Sequence, residues 1–231
     1  MGPGRWRDLV TLLHPPYTVW HLSYVALGAA AAPHLHLDRL LAALGAFFLA
    51  VGIAAHALDE LNGRPIRTHL SGRTLVGLAA FGLGGAVAIG VVGAVSVSAS
   101  IAPFVAAGAF LVAAYNLELF GGRFHSDFWF ASAWGAFPAL TSYWANALSI
   151  DPAGLLVGAA CFLLSVAQRR LSTPARELRR RTVSLRGEQT LTDGRTVELT
   201  AERLGAPLEQ ALLALSLALV LLSAGAVAAR L

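Results

Sequence analysis

The chain contains no lysine, so all 17 of its basic residues are arginine, and it has a single cysteine, Cys161, and a single methionine. Cys161 lies inside an apolar run, which excludes a disulfide framework and a thiolate metal site. Charge is scarce as well: 13% of the 231 residues are charged, against 56% that are hydrophobic. At a mean hydropathy of +0.65, a soluble domain of this size has too little polar surface to cover its apolar side chains. The absence of lysine, beside heavy use of Ala, Gly, Leu and Val, reflects a GC-rich coding bias more than a mechanism. Segment 1–16 carries Arg5 and Arg7 but no immediate apolar core and no small-residue cleavage site. The first apolar stretch is therefore expected to be a retained span and not a signal peptide.

What the chain does have is a series of uniform apolar runs of about 17 to 25 residues, the length of membrane-crossing helices; barrel strands would alternate over about 10 residues. The runs predict an all-α polytopic bundle of about seven spans, at 16–32, 40–60, 74–97, 101–120, 127–148, 152–168 and 207–229. Residues 1–231 form one transmembrane domain in this reading, interrupted by a polar, arginine-rich insertion at about 169–205. Within the insertion, Thr192-Asp193-Gly194-Arg195 has the composition of a hairpin turn. The third span is rich in glycine (Gly77, Gly82, Gly84, Gly85, Gly90, Gly93), which suits close helix packing. With the N-terminus inside, only Arg39 and Arg230 fall outside. That asymmetry predicts a cytoplasmic N-terminus in the cell (inner) membrane.

This topology gathers ligand-type side chains at one level near the cytoplasmic face. His56, Asp59 and Glu60 close the second span, and positions three and four apart share a helix face. His21 lies at a similar depth in the first span, Glu118 near the end of the fourth, and His125 and Asp127 at the start of the fifth. Ionisable groups at membrane depth are costly unless paired, metal-bound or facing a wet cavity. The set His21, His56, Asp59, Glu60, Glu118, His125 and Asp127 is therefore a candidate divalent-metal site, with Asp59 and Glu60 as catalytic carboxylates. Mixed histidine and carboxylate donors suit iron, manganese or zinc better than magnesium, so an intramembrane iron-type oxidoreductase stands beside a metal-dependent transferase as the expected enzyme class. Arg64, Arg67 and Arg123 would neutralise a substrate headgroup, with Tyr115 and Asn116 beside it.

Blander readings stand alongside. The carboxylates of the second span could pair with Arg64 or Arg67 at the interface, and Ser126 or Asp127 could simply cap a helix. His21 could be a bonded core histidine, and Tyr115 and Asn116 plain interhelical contacts. The arginines of 169–186 either hold anionic lipid headgroups and enforce topology, or form a phosphate or carboxylate clamp over the cavity mouth. Nucleic acid is not an expected partner, because no stacking aromatics are interleaved with the basic residues. A transporter is disfavoured by the lack of an internal repeat.

The order of these elements resembles the UbiA superfamily of intramembrane prenyltransferases. Its NDxxDxxxD motif is matched in frame by Ala55-His56-Ala57-Leu58-Asp59-Glu60-Leu61-Asn62-Gly63, followed by Arg64-Pro65 and by Leu70-Ser71; Asp59 alone keeps its carboxylate in place. Ala114-Tyr115-Asn116-Leu117, Trp134-Gly135-Ala136-Phe137-Pro138 and the segment 196–205 are similar to later family patterns. The resemblance implies a helical bundle around a lipid-open cavity with its polar end at the cytoplasm. It also implies transfer of a prenyl group from a diphosphate held by magnesium. The family's second acidic motif should fall after the sixth span, where this chain instead has Gln168, Arg169, Arg170, Arg176 and Arg179 to Arg181. The implied function is an integral membrane enzyme for an isoprenoid or other lipid-like substrate. The alternative is an inactive relative that binds lipid or a partner protein.

Overall fold

The computed structural model describes residues 4–231; residues 1–3, part of the N-terminal segment read above as uncleaved, lie outside the described region. Helix α1 (Arg5–Leu13) ends at His14, whose left-handed backbone (φ 44°) turns the chain into α2 (Pro15–Ala31). Two prolines at that start cost no hydrogen bond, since the first amides of a helix have no partner inside it. The corner is closed by the Thr18 hydroxyl, which donates to the Leu13 carbonyl at 2.6 Å. There follow α3 (Leu37–Leu61), α4 (Gly72–Ser96), α5 (Ala99–Asn116), α6 (127–147) and α7 (Pro152–Arg180). A hairpin of β1 (Gly187–Thr190) and β2 (Thr196–Leu199) then leads into α8 (Ala201–Ala228).

Helix α2 is the axis of the bundle, packed against α3, α6, α7 and α8. It can sit there because glycine lets backbones touch: a Cβ on Gly28 would run into the Ala139 carbonyl of α6. Its interior polar groups bond to one another. The Trp20 indole N–H donates to the Tyr24 hydroxyl at 2.6 Å, and the Ser165 hydroxyl of α7 donates to the same oxygen at 3.1 Å.

Five helices, α3, α4, α5, α7 and α8, are long and apolar enough to cross a membrane, two fewer than the seven expected. The other two expected spans are helical, but they are the interior pair. Helix α2 has 17 residues, nine of them buried, and α6 buries Ser142 and Asn146 among its apolar residues. Asn146 is accommodated there by bonds to protein, accepting the His36 N–H at 2.8 Å and donating to the Ser142 carbonyl at 2.9 Å, and with such interior polar groups these two helices read as less apolar than their neighbours. The outer helices show the reverse pattern. Val76, Phe81 and Val95 of α4 and Leu213, Leu217 and Leu221 of α8 are exposed, giving each of these helices an apolar outer side suited to lipid. The molecule is an all-α bundle of membrane-embedded type.

Capping residues set the helix starts. Ser71, Ser126, Asp151 and Thr200 each accept a backbone N–H from the first turn of α4, α6, α7 and α8. Two boundaries differ from expectation. Helix α7 runs about three turns past residue 168, to Arg180, and α8 starts at Ala201 instead of 207. Residues 169–180 and 201–205 of the polar stretch are therefore helix, and the hairpin lies between them. The hairpin is present, with Gly187 opposite Leu199 and Thr190 opposite Thr196, and Gly194 at φ 83° in its turn.

Candidate functional site

The middle of α3, Phe48–Ala55, winds as π-helix. Such wide turns re-aim the residues beyond them and are frequent beside functional positions. The segment lies flush on α4, where a Cβ on Gly82 would come within 2.6 Å of the Leu49 carbonyl and 2.9 Å of the Ala54 nitrogen. Directly after it, His56 and Asp59 line one cavity. Glu60, about 100° further round the helix, turns away from them.

Glu60 is fully buried and anchors the loop that follows α3. One oxygen accepts the Ile66 N–H at 3.0 Å, and the other accepts the Thr68 N–H at 2.6 Å and the Thr68 hydroxyl at 2.9 Å. Both oxygens are committed to this loop, so the expected role of Glu60 as a catalytic or metal-binding carboxylate in the cavity has no free atom to carry it. Arg64 belongs to the same loop, donating to the carbonyls of Thr68 at 3.1 Å and Leu70 at 2.8 Å. Arg67 and Arg123 are exposed, and none of these three arginines lines the cavity.

The cavity has a volume of about 1150 Å³. One wall holds His56, Asp59, Tyr115, Asn116, Glu118 and His125, from the ends of α3 and α5 and the loop before α6. That loop turns through left-handed backbone at Glu118 (φ 49°), Phe120, Gly121 and Gly122. Asn62 ties the wall together by donating to the Asn116 carbonyl at 3.2 Å, while the Asn116 amide donates to Val112 at 2.7 Å. The facing wall is the side of α7 carrying Arg169, Ser172, Arg176 and Arg180, at the three- and four-residue spacing of one helix face. Tyr17 and His14 stand between the walls.

Three imidazoles share one arrangement. Nδ1 of His56 meets the Gly52 carbonyl at 3.1 Å, Nδ1 of His125 meets the Tyr115 carbonyl at 3.1 Å, and Nδ1 of His21 meets the Trp134 carbonyl at 2.7 Å. A carbonyl only accepts, so Nδ1 carries the proton in each. In the neutral ring Nε2 is then left as an acceptor. For His56 and His125 that nitrogen belongs to a residue of the cavity wall. His125 is held flat against Tyr115, ring centroids 4.5 Å apart. His21 stands behind the wall, enclosed by Tyr17, Tyr24, Phe130 and Trp134, and its Nε2 has no partner among the described residues. Asp127 is also outside the cavity, bonded at 2.8 Å to Arg169 Nε.

His14 was not foreseen. It sits 6.0 Å from His56, ring centre to ring centre. Shielding from water inside the cavity, together with the nearby charges of Arg180, Arg176 and Arg179, holds its imidazole below the usual 6.5. Tyr17 and Gln168 are further wall residues that no sequence pattern places with His56, whereas the α7 arginines line the cavity as the clamp reading of 169–186 expects. A signal did exist for the arginines, which continue the 3.6-residue period of α7 beyond residue 168.

Metal ligation is the expectation least supported by this geometry. Among the described residues no group of three or more His, Cys, Asp or Glu side chains comes together as a metal ion requires. With Glu60 in its loop, Asp127 on Arg169 and His21 behind the wall, the remaining donors do not fit a cation held by protein alone. A second cavity, of about 520 Å³ and almost wholly apolar, lies between α3, α4, α5 and α6. It shares Val51 and Trp134 with the polar cavity, so the two meet at those side chains. No family model, curated protein or solved structure matches the chain.

Proposed function

We propose that the chain is an integral membrane enzyme acting on an isoprenoid or other lipid-like substrate, with an organisation resembling the UbiA prenyltransferases. In this reading α2 and α6 join the five long helices as membrane-crossing segments. The N-terminus and the polar cavity then face the cytoplasmic side of the inner membrane, where most arginines lie. The observation that carries the proposal is the meeting of a polar and an apolar cavity at Val51 and Trp134. An amphipathic molecule needs both environments side by side, a place for its head among charges and one for its chain among side chains such as Phe104, Val105 and Phe137.

The wall residues divide the work. Nε2 of His56, with Nδ1–H held by Gly52, accepts a proton from the group under attack. Asp59, on the same wall, stabilises the imidazolium that results. Tyr115 and Asn116 shape the site, and Trp134 and Phe130 keep water from the reacting carbon. In a prenyl transfer the carbon–oxygen bond to the leaving phosphate breaks as the bond to the acceptor forms, and the acceptor's proton passes to His56.

The test is release of pyrophosphate from farnesyl diphosphate by the purified full chain in mild detergent, with total membrane lipid as the acceptor source. Turnover is expected, and His56→Ala and Asp59→Asn should each lower it by about 100-fold or more while farnesyl diphosphate still binds. Wild-type protein that binds but never turns over would support the second reading, a catalytically inactive lipid-binding subunit. The arginines that stand where the family carries its second acidic motif favour that reading.

A further inference from the structure

The cavity is polarised. Its α7 wall and the residue after it bring Arg169, Arg176, Arg179, Arg180 and Arg181, while the carboxylates lining the same space are Asp59, Glu118 and Glu209. Two of the five guanidiniums are occupied. Arg169 Nε is bonded to Asp127 at 2.8 Å with its plane 4.9 Å over the Phe130 ring, and Arg179 is bonded to Glu209 at 3.2 Å. Arg176 reaches only neutral oxygens, the Ser172 carbonyl at 3.3 Å and the Thr173 hydroxyl at 3.5 Å. Among the described residues Arg176, Arg180 and Arg181 have no carboxylate partner.

Arg176, Arg180 and Arg181 are exposed to solvent at the rim of the cavity, so they remain open to an incoming ligand, and an anion entering there relieves the repulsion between cations on one helix face. Three features favour a phosphate as the ligand of these arginines. The guanidinium fork matches two oxygens of a phosphate at once. Arg176 and Arg180 are four residues apart, one turn of α7, so both forks can reach a single group. The third is the donor count, since carboxylates able to hold a divalent cation on that phosphate do not converge here.

We infer that the α7 arginines bind the phosphate or diphosphate head of the substrate directly, without a divalent cation between protein and phosphate. This rests on the reading of the cavity as a site for a lipid-like substrate, and it identifies what that substrate's head must be. The guanidiniums take over the charge neutralisation that metal ions otherwise supply. They also hold the leaving phosphate on the far side of the cavity from His56 and Asp59.

The test uses the full chain in neutral detergent with three probes, farnesyl diphosphate, farnesol and inorganic pyrophosphate, each titrated in excess EDTA and again with magnesium. Farnesyl diphosphate is expected to bind equally well in both. Arg176→Gln with Arg180→Gln should weaken it by about tenfold or more, with no recovery on adding magnesium. Arg176→Lys with Arg180→Lys keeps charge but loses the fork, and an intermediate loss is expected. Arg203→Gln, at an exposed site away from the cavity, should change nothing. The inference is overturned if binding requires magnesium, or if the double glutamine variant, folded by its melting curve, binds as the wild type does. Farnesol binding as tightly as the diphosphate would leave the lipid-like substrate standing and remove the arginine role. Pyrophosphate matching farnesyl diphosphate would keep the arginine role and remove the lipid. Failure of all three probes would end both.

Discussion

At the scale of single residues, the adjacent pair Asp59 and Glu60 separates into a cavity group and a structural group. Glu60 satisfies two backbone amides of a loop in which Gly63, Arg64 and Arg67 all adopt left-handed backbone, and it shares the anchoring with Arg64. Removing the carboxylate leaves buried donors unpaired, at about 1 to 3 kcal/mol each. Glu60→Ala should therefore lower the melting temperature markedly and open the 62–71 loop to protease, with Glu60→Gln in between. Asp59→Asn should leave the melting curve nearly unchanged and act on turnover alone. A Glu60→Ala protein that melts like the wild type but has lost turnover would return Glu60 to the cavity. Nothing in the sequence separates these two carboxylates. Both fall within reach of His56 on a helical wheel, and only the partners at Ile66 and Thr68 decide which way each points.

At the scale of elements, the glycines of α4 show how far sequence pattern reaches and where it stops. Six glycines suggested close packing, yet the structure uses them unequally. A Cβ at Gly82 would strike the backbone of α3 and one at Gly85 would crowd Leu49, whereas Gly77 and Gly84 have nothing within 4 Å. Gly82→Ala should force α3 and α4 apart, at about 1 to 3 kcal/mol, and disturb the π-helical turn that aims His56. Turnover and melting temperature should fall together. Gly84→Ala should raise helix stability by about 0.5 to 1 kcal/mol and leave turnover intact. Equal effects of the two substitutions would mean that the contact at Gly82 does not position His56. The helices themselves were legible, because apolar runs of spanning length have few alternative structures in lipid. So were the Ser126 cap and the 192–195 turn, which depend on residues next to one another. The extension of α7 to Arg180 was hidden because its charge masked a helical period that continues without a break. The π-helical segments Phe48–Ala55 and Ser132–Ala136 carry no such local mark.

At the scale of the whole molecule, the candidate site depends on contacts between segments far apart in the chain: α1, the ends of α3 and α5, the loop before α6, and α7 with the start of α8. The expectation that ligand-type residues share a level brought His56, Asp59, Glu118 and His125 to one cavity wall. The arginines across the cavity are among those that the sequence also offers as a clamp over its mouth, here carried on the extension of α7. That opposite wall changes the electrostatics of the cavity, because a resident divalent cation would have to sit opposite several guanidiniums with few carboxylates free to hold it. Like charges repel more strongly where water is partly excluded. Protein purified in mild detergent is accordingly expected to contain iron, manganese and zinc well below one atom per chain by elemental analysis. Dialysis against EDTA should leave its melting temperature unchanged. Stoichiometric metal that disappears in His56→Ala would reverse this conclusion. It would require His56, Asp59 and His125 to close around the ion, drawing the end of α5 toward the end of α3.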